Sequence, residues 1–61
     1  MIREEWIEQA IRAPLRDTLQ ADGRIRRWVQ VPEMGNRDLR VVLLADGETV
    51  HNAFFDRRFV L

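Results

Sequence analysis

The apolar positions of this chain switch from a spacing of about 3.6 residues to simple alternation, and the switch separates a helix from a run of strands. Over residues 2–13, Ile2, Trp6, Ile7, Ala10, Ile11 and Ala13 fall on one half of a helical wheel. Glu4, Glu5, Glu8, Gln9 and Arg12 fall on the other half, and Arg3 intrudes at the edge of the apolar arc. Two acids in the first turn and Arg12 in the last complement the helix dipole, and Glu8 and Arg12 stand four apart in the favourable order. Pro14 lacks an N–H and disfavours the helical conformation at Ala13. The pattern predicts a helix over 3–12.

Beyond Pro14 the punctuation is supplied by turn residues. Asp22-Gly23 separates a short polar stretch, 17–20, from 24–31, and Pro32 closes the second run. The polarity of 17–20 suits an edge strand. In 24–31, Ile25, Val29 and Val31 lie on one face with Arg27 interrupting, while Arg24, Arg26, Trp28 and Gln30 lie on the other. A bulge near Arg26-Arg27 would restore the alternation. Gly35-Asn36 turns the chain into a third run, and Asp46-Gly47 joins that run, 39–45, to a fourth, 48–55. Read as a two-residue type I′ turn, Asp46-Gly47 sets Ala45 opposite Glu48, Leu43 opposite Val50, Val41 opposite Asn52, Arg40 opposite Ala53 and Leu39 opposite Phe54.

The expectation is one α+β domain over residues 1–61, a helix packed on a four-stranded antiparallel meander, α-β-β-β-β. The predicted register gives one face Leu39, Val41, Leu43, Val50 and Phe54, with Asn52 among them, and the helix arc should cover it. The other face carries Arg40, Val42, Leu44, Thr49, His51, Ala53 and Phe55, joined by Arg26 and Trp28 of the neighbouring strand. One helix cannot cover both. Trp28, Val42, Leu44 and Phe55 are therefore the expected interface, more apolar surface than a lone monomer usually leaves bare. A mixture of aromatic, aliphatic and Arg residues is what protein interfaces concentrate, and it also suits RNA. A homodimer or a docked partner protein should cover this face.

Size sharpens that expectation. A chain of 61 residues buries only ~60% of the surface its unfolded form exposes, and without Cys it has no disulfide or Cys-zinc staple. Its ten acids balance ten cations, and every cation is Arg. Codon bias accounts for that more readily than function does, although Arg offers a planar fork for phosphate and carboxylate. Balanced charge argues against broad nucleic-acid binding but leaves room for a local Arg cluster. No transmembrane span or signal peptide can be drawn, so a cytoplasmic location is expected.

Candidate chemistry is confined by what is missing. Thr18 and Thr49 carry the only side-chain hydroxyls, which removes Ser and Cys nucleophiles, and one His removes the His-rich metal sites. No metal or cofactor is expected. A lone His in a strand is more often structural, but any acid–base mechanism would recruit His51, the only imidazole, with Arg40 on the same predicted face. Arg26, Arg57 and Arg58 are candidate phosphate or RNA ligands. Asp56-Arg57-Arg58 also reads as a solvated strand end in which Asp56 pairs with an Arg.

The succession WIEQAI-x-x-P, DGR, PE, LRVVL, DG-x-x-V and FFDRRF resembles a family of small bacterial domains of unknown function, often grouped with the RelE-like and BrnT-like type II toxins. The resemblance spans nearly the whole chain. It implies an α+β fold with an antiparallel sheet and, for characterised relatives, metal-independent RNA cleavage silenced by an antitoxin protein. RelE-like toxins usually begin with two helices and carry a basic excess, whereas this chain has one helix and no net charge. Two functions follow as expectations. One is an interaction module that dimerises or docks a partner through the open sheet face. The other is a metal-independent ribonuclease using His51 and Arg40.

Overall fold

A computed structural model describes residues 2–61. The elements are α1 (Glu4–Arg12), β1 (Arg16–Leu19), β2 (Ile25–Val31), a 3₁₀ turn (Pro32–Met34), β3 (Arg37–Leu43) and β4 (Val50–Phe55). The strands form one antiparallel sheet in the order β1-β2-β3-β4, the expected α-β-β-β-β meander. Among the described residues no helix is long and apolar enough to cross a membrane.

Helix α1 forms as its pattern requires. Glu4 and Glu5 occupy its first turn and Arg12 its last, with a Glu8–Arg12 ion pair of 3.3 Å on its solvent side. Ala13 closes the helix with an N–H···O bond to Gln9 of 2.8 Å before Pro14 turns the chain toward β1. The apolar arc packs chiefly on β2 and β3. Trp6 and Ala10 are buried there against Val29, Val31, Leu39, Val41 and Leu43. Burial of each such aliphatic side chain contributes ~1.5–3 kcal/mol. The Trp6 indole N–H reaches Glu33 of the 3₁₀ turn at 3.4 Å.

Both Asp-Gly corners differ from the type I′ expectation, and they differ in the same way. Gly23 and Gly47 have φ of +90° and +73°, while neither Asp22 nor Asp46 has positive φ. Each turn begins two residues before the Asp, where the Gly N–H bonds the carbonyl of Gln20 (3.0 Å) or Leu44 (2.9 Å). The Asp carboxylate then accepts from backbone N–H groups beyond the turn: Asp22 from Arg24, and Asp46 from Glu48 and Thr49. Side-chain acceptance by Asp makes it a turn former without requiring left-handed backbone at the Asp itself. The Thr49 hydroxyl, then the N–H groups of Thr49 and Glu48, hold the Asp46 carboxyl below its ordinary value.

The register of β3 and β4 matches the expectation only at Leu43: the expected Ala45–Glu48 pair is absent, since β3 ends at Leu43 and β4 begins at Val50, and the pairing slips beyond. Leu43 faces Val50 as expected, but Val42 then faces Asn52, Val41 faces Ala53, Arg40 faces Phe54 and Leu39 faces Phe55. His51 is the extra residue of a bulge opposite the Val42–Leu43 step. A one-residue slip exchanges the two faces of a strand. Phe55, expected on the open face, lies on the helix side and meets Trp6 edge-on at 6.2 Å. Phe54, expected beneath the helix, lies on the open face. The bulge expected at Arg26-Arg27 does not occur, since β2 pairs with β3 without a shift from Ile25 to Val31. Arg27 is on the buried face because its guanidinium donates to the Ile11 carbonyl at 2.7 Å. It satisfies the C-terminal end of α1 with positive charge. Asp17 stands 3.7 Å from its Nε.

Candidate functional site

With α1 on one side, the sheet turns Arg26, Trp28, Arg40, Val42, Asn52 and Phe54 to the other. That face is less bare than the sequence suggests. After β4 the chain turns at Arg57-Arg58 and lays Phe59 flat on Trp28, with ring centroids 4.8 Å apart and planes 16° from parallel. Trp28 and Val42 are each only 6% exposed. Val42 lies between Arg26 and Asn52 across the ladder. Of the four expected interface residues, Trp28 and Val42 are covered within the chain, Phe55 is on the helix side, and Leu44 remains 37% exposed.

Asp56 fixes the tail. Its N–H bonds the Asp38 carbonyl at 2.8 Å, continuing the ladder by one residue. Its carboxylate accepts the Trp28 indole N–H at 3.2 Å and the Arg58 N–H at 3.0 Å, and lies 3.8 Å from the Arg40 guanidinium. Partial burial pushes this carboxyl up. The hydrogen bond from Trp28, the Arg58 N–H, the charge of Arg40 and the Phe59 N–H outweigh burial and hold it below the ordinary value. The predicted pairing of Asp56 with an Arg is therefore realised, with Arg40. Arg40 itself stacks over Phe54 at 4.3 Å.

The tail and sheet enclose an open cleft of about 600 Å³ that includes Arg26, Arg40, Arg57, Arg58, Phe54 and Asp56. Its cations set it apart. Arg3, Arg12, Arg24, Arg27 and Arg40 each carry an ion pair. Among the described residues Arg16, Arg26, Arg37, Arg57 and Arg58 carry none. All of these but Arg37 belong to the cleft face, Arg16 through its position 5.8 Å over the Phe59 ring. With its amide oxygen turned inward, Gln20 accepts from Arg26 Nε at 2.8 Å and Nη2 at 2.7 Å, which holds that guanidinium in place without neutralising it. Glu4, Glu5 and Glu8 lie exposed on the opposite side of the molecule. Glu5 and Glu8 are paired there with Arg3 and Arg12, so a net charge of zero conceals one basic face and no matching acidic one.

The structure brings Arg26, Arg40, Arg57 and Arg58 together and leaves His51 out. His51 is exposed at the β4 bulge and does not line the cleft. The expected position across from Val42 and beside Arg40 is taken by Asn52 and Phe54. Sequence reasoning missed Arg16, Phe54 and Phe59. Phe59 had a signal, as a lone aromatic in a charged tail. Among the described residues no three His, Asp or Glu side chains converge in a way that could hold a metal ion. Comparison with protein-family models, curated proteins and solved structures returned no match.

Proposed function

We propose that this chain is a small interaction module that docks an acidic segment of a partner protein on its Arg-lined sheet face. One observation carries the reading: four of the five guanidinium groups without a carboxylate partner lie on that face, and three of them, Arg26, Arg57 and Arg58, line one cleft. Guanidinium forks bind carboxylates with paired, directional hydrogen bonds, and Arg with aromatic neighbours is the composition of interaction hot spots. The unpaired guanidinium groups would steer an acidic partner toward this side.

The state of the rings favours a protein over single-stranded RNA. Base-stacking proteins leave aromatic faces open. Here Trp28 lies under Phe59 and Phe54 under Arg40. RNA cleavage is the second reading, favoured by the same Arg forks, which suit phosphate as well. It needs an acid–base group at the scissile bond, and His51 stands outside the cleft.

Titration with an oligoglutamate peptide and with an oligouridylate, at low and high salt, tests the proposal. The peptide should bind more tightly than the RNA and weaken with salt. Replacing Arg57 and Arg58 together with Gln should weaken peptide binding by roughly 2- to 30-fold, from ~0.2–1 kcal/mol per exposed ion pair. Equal binding by the double variant, or tighter binding of the RNA, would overturn it.

A further inference from the structure

The two edges of the sheet are built differently. Strand β1 has four residues, and Arg16 and Asp17 place charge on it. Short, charged edges resist pairing with another chain. Strand β4 has six residues, Val50-His51-Asn52-Ala53-Phe54-Phe55, without an acid, an Arg or a Pro, and every one is exposed or half-exposed. Its outer side pairs with nothing in the chain, and α1 packs over β2 and β3.

The direction of its free hydrogen-bonding groups follows from the ladder. Asp56 donates to the Asp38 carbonyl, and hydrogen-bonded pairs alternate along antiparallel strands. Phe54 and Asn52 therefore bond to β3, opposite Arg40 and Val42. Ala53 and Phe55 aim their N–H and C=O groups outward. The regular stretch beyond the bulge thus presents two unused donors and two unused acceptors in register.

We infer that β4 is the dimerisation edge of this protein, pairing antiparallel with β4 of a second copy about a twofold axis at Phe54. That axis sets Ala53 opposite Phe55 of the copy, and Phe55 opposite its Ala53, closing four backbone hydrogen bonds. Phe54 meets its own counterpart as a pair without hydrogen bonds, in which side chains approach most closely. Its ring, 38% exposed in the single chain, gains a neighbour. A second copy suits this edge because β4 is uncharged, so two identical strands meet without like-charge repulsion. One self-complementary patch also closes the assembly. Registers shifted toward Val50 would engage the His51 bulge, which breaks the ladder, and those shifted the other way would run into the turn at Arg57-Arg58. The axis is perpendicular to the sheet, so both helices lie on one side of an eight-stranded sheet and both basic faces on the other. Phe54 belongs to both the cleft and the pairing edge, but sedimentation and cross-linking read the dimer without any cleft ligand.

Sedimentation of the full chain with two variants tests the inference. The wild type should sediment at about twice 7.3 kDa. Ala53→Pro deletes an outward N–H that the chain does not use, a change edge strands tolerate. It should give a monomer with an unchanged circular dichroism spectrum. Phe54→Cys introduces the only thiol, at a position about 4.5 Å from its counterpart in Cα distance, within disulfide reach. Mild oxidation should link it into covalent dimers far more completely than Thr18→Cys on β1. A monomeric wild type at high concentration would overturn the inference, as would an Ala53→Pro variant that stays dimeric. Should Ala53→Pro fail to fold, the thiols decide: cross-linking of Phe54→Cys no greater than of Thr18→Cys overturns it.

Discussion

Replacing Asp56 with Ala should cost this small domain a large share of its stability, because one carboxylate ties the tail to the sheet. The side chain is only 15% exposed and accepts the indole N–H of Trp28, itself 6% exposed. A hydrogen bond to a charged acceptor contributes ~1.5–3 kcal/mol, and a buried donor stripped of its partner loses most of that. The ion pair with Arg40, a quarter exposed and 3.8 Å away, adds a few tenths to ~1 kcal/mol. The expected loss is ~2–3 kcal/mol. In a chain of this length each kcal/mol shifts the Tm by ~4–8 °C, so the fall should be about 10–20 °C.

Asp56→Asn separates charge from hydrogen bonding. The amide oxygen still accepts from Trp28 but the NH2 cannot accept from the Arg58 N–H, so the cost should be smaller than that of Ala without vanishing. The folded chain holds the Asp56 carboxyl below its ordinary value. Its stabilisation is therefore complete above the unfolded value of ~3.9 and fades as the pH falls through the folded one. Asp56→Asn should flatten that part of the acid limb. Urea unfolding followed by Trp fluorescence, at neutral pH and in acid, reads both effects. Variants within about 0.5 kcal/mol of wild type, or Asn costing as much as Ala, would refute the account of this contact.

Two further substitutions test local features of the fold. Arg27→Met keeps the apolar stem but abandons the Ile11 carbonyl, and should lose ~1–2 kcal/mol in urea unfolding; no loss would mean the residue is only a spacer. Gly47→Ala should cost ~1–2 kcal/mol, because its φ is +73° while an added Cβ meets only the Ile25 Cδ1 at 3.9 Å, so the penalty is purely conformational. Gly23→Ala, with φ of +90° and nothing within 4 Å, should match it by the same measurement.

What the sequence made legible was what it encodes locally. The helix was readable from six apolar positions and Pro14, and the strands from two Asp-Gly corners, because period and turn chemistry act within a few residues. Three features failed because their causes lie elsewhere in the chain. The bulge at His51 carries Phe55 to the helix side, where it meets Trp6. Two adjacent Phe residues give alternation no means of choosing which faces inward. Arg27 looked like a fault in an apolar face, since its partner is a helix end sixteen residues away. The cover over Trp28 comes from Phe59, beyond the last strand, where no periodicity remains to read. The candidate site suffered the same way: Arg26, Arg57 and Arg58 were identifiable as residues, but their company depends on the fold of the tail.

The central claim is that the basic sheet face, and not the helix side, receives an acidic partner. Proton–nitrogen correlation spectra recorded while an oligoglutamate peptide is added test it most directly. The account predicts that the Nε signals of Arg26, Arg57 and Arg58 and the indole signal of Trp28 move together and saturate. The amides of Glu4, Glu5 and Glu8 should stay where they are. Perturbations spread evenly over the molecule, or confined to α1, would contradict it.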